Sequence, residues 1–195
     1  MKGFHRLVLK TERLALRPLV ARDAASLFGI FSDRQVTRYW SSAAWDSEAT
    51  AADYIARDAR ALRKGEHLRL GIEIRASAEL IGMCTLYAFM KQCRRAEIGY
   101  ALSRAHWGRG YMHEALSRLL HYGFENLELH RVEADVDPRN MASARSLERL
   151  GFLKEGHMRE RWIVDGEVSD TSFYGLLRSD WRTREKPPGA PTVSG

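Results

Sequence analysis

The stretch His106-Trp107-Gly108-Arg109-Gly110-Tyr111 sits between an alternating run and the clearest helical run of the chain. Before it, residues 95–102 place Ala96, Ile98, Tyr100 and Leu102 on one side of a strand and Glu97, Gly99 and Ala101 on the other. After it, Met112, Ala115, Leu116, Leu119, Leu120 and Phe124 recur at the spacing of one helical stripe, which predicts a helix over 112–124. A strand that passes through Gly-x-Gly into a helix leaves unpaired backbone N–H groups around a concavity. Together with the helix dipole, those donors suit a phosphate or pyrophosphate. Glycine is needed where a side chain would block the ligand or forbid the φ angle, although two glycines also serve as ordinary punctuation at a helix start. Two sharper nucleotide motifs are excluded: the dinucleotide fingerprint requires a glycine where His113 stands, and no Gly-Lys-Ser/Thr follows the loop.

Outward from the loop, strand-like and helix-like pieces alternate, which predicts an α/β or α+β domain. Residues 11–20 (TERLALRPLV) read as a strand closed by Pro18. Residues 23–31 read as a short helix, and 46–64 as a longer one with Asp46 as its N-cap and Gly65 as its stop. Strands over 67–75 and 79–89 flank the hairpin turn Ala76-Ser77-Ala78. Residues 131–136 alternate as a strand, and 140–150 form a helix ended by Gly151. Segments 152–158, 161–165 and 168–177 form a closing antiparallel group with a turn at Asp165-Gly166. One domain over 1–183 is expected, with residues 184–195, ending KPPGAPTVSG, as a disordered tail.

The chain has 195 residues, enough for one cored domain, and a formal net charge of +6 that favours polyanionic partners, a phosphate-rich cofactor among them. Its arginines are spread out with no aromatic-interleaved basic stripe, so direct nucleic-acid binding is not expected. No apolar run approaches the roughly 20 residues of a membrane helix, and the first residues carry no signal-peptide core. Cys84 and Cys93 are too few for a disulfide framework and lack zinc-ligand spacing; reduced cysteines in a cytoplasmic protein without a metal are expected.

The run AEIGYALSRAHWGRGYMHEAL (96–116) resembles the cofactor-binding motif of the GCN5-related N-acetyltransferases, the GNAT superfamily. DPRNMASARSLERLGFLKEG (137–156) is similar to that family's Asn-x-x-Ser … Gly-Phe segment. The opening TERLALRPL and closing RERWIVDGEVSDTSFYGLL extend the likeness over residues 9–181, in the manner of RimJ/RimL-like ribosomal-protein N-terminal acetyltransferases. The resemblance implies a mixed, mostly antiparallel sheet splayed after the cofactor-binding strand, flanked by about four helices. It implies direct transfer of acetyl from acetyl-CoA to a primary amine, with a monomer or homodimer as the working unit. Two departures stand out. Ala105 occupies the position where the loop pattern usually begins with Gln or Arg, which moves cofactor binding onto backbone donors at Gly108, Arg109 and Gly110. Leu147 occupies the position of a tyrosine acid found in many members, so no tyrosine acts there.

Attack on a thioester requires a neutral amine, a stabilised oxyanion and a protonated leaving thiolate. By the resemblance, Glu97 is the base and Ser143 protonates the thiolate; the plainer alternatives are a Glu97–Arg95 ion pair and a serine beside its helix cap. Oriented water competes for either role. The cofactor set implied is Leu102, Trp107, Gly108, Arg109, Gly110, Tyr111, Met112, Asn140, Ser143 and Arg145, with Asn140 serving the pantetheine arm, the N-cap of the helix that follows it, or both. His106 and His113 flank the loop without metal-ligand spacing, and Arg149 is a further phosphate candidate. Trp40, Trp45 and Tyr87 belong either to the acceptor pocket or to the core. The acceptor is expected to be a protein N-terminus; a small amine, or a binding module without catalysis, are the alternatives.

Overall fold

The computed structural model describes residues 3–185. The elements are β1 (Leu9–Lys10), β2 (Leu14–Arg17), α1 (Ala24–Phe31), α2 (Arg34–Thr37), α3 (Glu48–Lys64), β3 (Leu68–Ile74), β4 (Leu80–Met90), β5 (Arg95–Leu102), α4 (Tyr111–Glu125), β6 (Arg131–Val136), α5 (Met141–Leu150), β7 (Leu153–Val164), β8 (Glu167–Leu177) and α6 (Arg178–Glu185). The strands form one sheet in the order β1-β2-β3-β4-β5-β6-β8-β7. Every neighbouring pair is antiparallel except β5 and β6. That parallel pair holds only from Arg95–Arg131 to Glu97–Glu133, after which the strands separate. The expected mixed, splayed α/β sheet is therefore the architecture of this chain.

Period-2 alternation on β3, β4 and β5 feeds two cores. On one face Leu70, Leu86, Ile98 and Leu102 pack against the α4 stripe Ala115, Leu116, Leu119, Leu120 and Phe124, all buried. On the other, Met83 and Ala101 pack with Leu27, Phe31, Ala51 and Ile55 of α1 and α3. Burying both faces is what keeps a sheet rigid on either side of a gap.

Several boundaries differ from the sequence expectation. Residues 11–20 are not one strand: β1 and β2 pair with Leu9 opposite Leu16, and the turn between them is held from outside by Glu114 of α4, which accepts from Thr11 Oγ1 at 2.6 Å and Arg13 N at 2.9 Å. The N-cap of α3 is Ser47, which accepts from Thr50 N; Asp46 accepts instead from the Thr50 hydroxyl. Segments 152–158 and 161–165 are one strand, β7, interrupted by register shifts at 154–156 and 158–162. Residues 184 and 185 end α6 rather than begin a tail, and the rest of that expected tail lies outside the described residues.

Candidate functional site

The separation of β5 from β6 opens a cleft of about 1560 Å³. Because side chains alternate along β5, Glu97 and Gly99 line it from one face of the sheet, and Ile98, Tyr100 and Leu102 from the other. Trp107, Gly108 and Met112 line it above, Asn140 and Ser143 along the start of α5, and Arg69, Thr85 and Tyr87 beside Glu97.

The glycine loop owes its form to two left-handed residues, Gly108 (φ 74) and Gly110 (φ 78). A Cβ at Gly108 would meet nothing within 4 Å, so glycine there serves conformation and open approach rather than packing. Gly110 is the N-cap of α4 and offers no capping side chain to the first-turn N–H groups. The loop is braced from behind: Arg13 donates to the Arg109 carbonyl at 3.1 Å, stacks 4.5 Å above the Tyr111 ring, and is fixed by Glu114 at 2.6 Å. Trp107 folds over the end of β5, its Nε1 donating to the Leu102 carbonyl at 2.8 Å.

Asn140 caps α5, its Oδ1 accepting from Ser143 N at 3.1 Å. One turn in, Ser143 Oγ lies 2.8 Å from the Tyr100 hydroxyl, which also reaches the Ser143 carbonyl at 3.3 Å. Burial pushes that phenol up to about 12. Glu97 has no ion pair with Arg95, which bonds Glu133 across the ladder instead. Opposite it in the β4–β5 register stands Tyr87, whose pKa is raised by burial first and then by the charge of Glu97. The structure thus brings together Glu97, Leu102, Trp107, Gly108, Met112, Asn140 and Ser143 along one cleft. Arg109, Gly110, Tyr111 and Arg145 are not among its lining residues; Arg109 and Arg145 are exposed, and Tyr111 packs against the core. Trp40 lines the cleft, whereas Trp45 stacks on Phe31 at 4.6 Å in the second core. Tyr100 was hidden to sequence reasoning because its parity groups it with the apolar row of β5. Cys84 and Cys93 are free thiols, and burial raises that of Cys84 to about 12. No group of three or more His, Cys, Asp or Glu among the described residues could hold a metal ion.

The model of the Acetyltransferase (GNAT) domain family matches residues 13–153. The chain belongs to this family. As a GNAT acetyltransferase it transfers acetyl from acetyl-CoA to an amine. It is 37% identical over 171 residues to the uncharacterized N-acetyltransferase YoaA of Bacillus subtilis, covering 88% of this chain and 97% of that one. It is 28% identical over 178 residues to the [ribosomal protein uS5]-alanine N-acetyltransferase of Escherichia coli, covering 89% and 92%. Its fold matches that of the spermidine N-acetyltransferase of Vibrio cholerae, solved with CoA and spermine, at a TM-score of 0.78, with 24% identity over 88% of this chain and 99% of that one. The GNAT cosubstrate fits what the loop offers: open left-handed glycines, first-turn donors free of a capping side chain, and a cleft leading from them to Ser143 and Glu97. No helix among the described residues is long and apolar enough to cross a membrane.

Proposed function

We propose that this GNAT enzyme is a RimJ/RimL-like acetyltransferase of the cytoplasm that acetylates the α-amine at a protein N-terminus, working as a monomer or homodimer with residues 1–183 as its single domain. The observation that carries the reading is the position of two proton-handling groups on opposite faces of one gap: Glu97 with Tyr87 on one, Ser143 with Tyr100 on the other. The breadth of the cleft, whose lining runs from Trp40 ahead of α3 to Trp162 of β7, supports a polymeric acceptor over a small enclosed one. The likeness to an acetyltransferase of a ribosomal protein, extending over nearly the whole of both chains, supports the same choice.

Acetyl-CoA supplies an acyl group already activated as a thioester. Backbone donors at Gly108, Arg109 and Gly110 and the first turn of α4 would hold its diphosphate. Leu102, Trp107, Met112 and Asn140 would line its arm, with Tyr111 and Arg145 supporting from outside the cleft. Glu97 takes the ammonium proton, directly or through water, so that the amine attacks in its neutral form. Ser143 Oγ then delivers a proton to the departing sulfur, Tyr100 passes its own to Ser143 through their hydrogen bond, and the second proton that the nitrogen sheds as the amide forms returns through water to Tyr100. A thiol-release assay with acetyl-CoA and an amine panel tests the whole reading. N-terminal peptides should be turned over in preference to polyamines, and Glu97→Gln and Ser143→Ala should each cut the rate. Preference for polyamines, or wild-type rates in both variants, refutes it.

A further inference from the structure

A charged cluster lies behind the acceptor side of the cleft, in a place where the helical stripe of α3 reads as apolar. Asp58 is 2% exposed among Ala51, Ile55 and Leu62. Its Oδ1 accepts from Arg69 Nη1 at 2.7 Å and lies 2.5 Å from His67 Nε2. The Arg69 guanidinium also sits 4.8 Å above the Tyr54 ring. Burying such an ion pair rarely gains stability over apolar packing, so the cluster calls for another reason. Arg69 is opposite Thr85 in the β3–β4 register, and Thr85 is opposite Gly99 in the β4–β5 register. Arg69 therefore shares a face with Thr85, Tyr87 and Glu97, roughly 10 Å across the sheet from Gly99. All four side chains line the cleft. Among the described residues, Arg69 Nε and Thr85 Oγ1 are buried with no hydrogen-bond partner, although Arg69 Nη1 is fixed by Asp58.

We propose that Arg69 determines acceptor specificity by receiving, with Thr85 beside it, the carbonyl or carboxylate oxygen next to the amine that is acetylated. The proposal rests on the placement of that amine at Glu97. An α-amine always carries such an oxygen three bonds away, whether at the end of a peptide or in a free amino acid. A polyamine would instead bring a second ammonium toward a guanidinium, and like charges repel at that range. Asp58 holds the fork in one orientation, and a planar fork suits an oxygen acceptor as a lysine would not.

The test is turnover of four acceptors: an alanine-initiated tripeptide, free alanine, isopropylamine (alanine with a methyl in place of its carboxylate) and spermidine. The wild-type enzyme should favour the two oxygen-bearing alanine acceptors over the other two, a result that needs no variant. In Arg69→Lys, the ratio of kcat/KM for the better alanine acceptor to that for isopropylamine should fall about tenfold or more, through KM of the former. If that variant no longer binds acetyl-CoA, the double variant Arg69→Gln/Asp58→Asn, which leaves no charge buried alone, carries the same measurement. Turnover of alanine without the tripeptide refutes the N-terminal reading and leaves Arg69 in its role. Preference for isopropylamine or spermidine, turnover of neither alanine acceptor, or an unchanged ratio in the variants overturns the proposal.

Discussion

The hydroxyls of Tyr100 and Ser143 lie 2.8 Å apart, joining a residue of β5 to one of α5 over the cleft. The position that holds a tyrosine acid in many relatives is Leu147 here, fully buried in the core. A phenol nonetheless reaches the same region from a different element. Removing the Tyr100 hydroxyl should lower kcat by less than removing that of Ser143, and the two effects should not add, because they belong to one hydrogen-bonded unit. Steady-state rates of Tyr100→Phe, Ser143→Ala and the double variant check this. Since burial holds Tyr100 up at about 12, the wild-type and Tyr100→Phe profiles should share the same alkaline limb up to about pH 10.

Glu97→Gln keeps the shape of the side chain and removes its capacity to take a proton. At neutral pH kcat/KM should fall by about a hundredfold or more. The deficit should narrow as the pH approaches the acceptor's own amine pKa, where the amine arrives already neutral. A pH series of initial rates for wild type and variant gives the answer; a constant deficit contradicts the base role.

Gly108→Ala places a methyl in open space but on a backbone with φ 74. The strain should cost about 1 to 2 kcal/mol in a chemical denaturation experiment. KM for acetyl-CoA should rise severalfold while KM for the amine holds, since the loop lies on the cosubstrate side of the cleft.

Away from the cleft, Asp23 is 4% exposed and accepts two bonds from Arg17, at 2.7 and 2.8 Å, and one from Val20 N. Burial by itself would raise its carboxyl, but the hydrogen bonds from Arg17 and Val20 outweigh it and hold the pKa below the usual value. A depressed folded pKa means that this stability is present above the unfolded carboxyl pKa and is lost as the pH falls through the folded one. Asp23→Asn should therefore cost about 3 kcal/mol near neutral pH, and the gap to wild type should shrink below about pH 4. Urea denaturation at two pH values measures both.

The parts of the fold legible in sequence were those whose periodicity is carried by core contacts. Residues 95–102 and 131–136 coincide with β5 and β6, and the α4 stripe is buried as its spacing implied. What escaped depends on distant partners. The β1–β2 turn is shaped by Glu114, about a hundred residues away in sequence, and no local signal announces it. Asp46 and Ser47 are both competent N-caps, and only the direction of the incoming chain decides between them. In β7, Glu160 takes φ 52, which disguises one strand as two. Within the site, the loop, Asn140 and Ser143 were readable because the motif is contiguous. Tyr100 and Arg69 were not, because each gains its meaning from a partner on another element, Ser143 and Asp58 respectively.

Past Glu97 and Glu133 the β5–β6 ladder stops, and the sheet has an unfinished seam at its centre. A molecule seated there binds the native chain and not the unfolded one, so occupancy itself adds stability, about 2.7 kcal/mol at a hundredfold excess over Kd. The supply of cosubstrate then governs survival as well as turnover. A cell short of acetyl-CoA and CoA would hold this enzyme in its least stable form, the one most open to proteolysis.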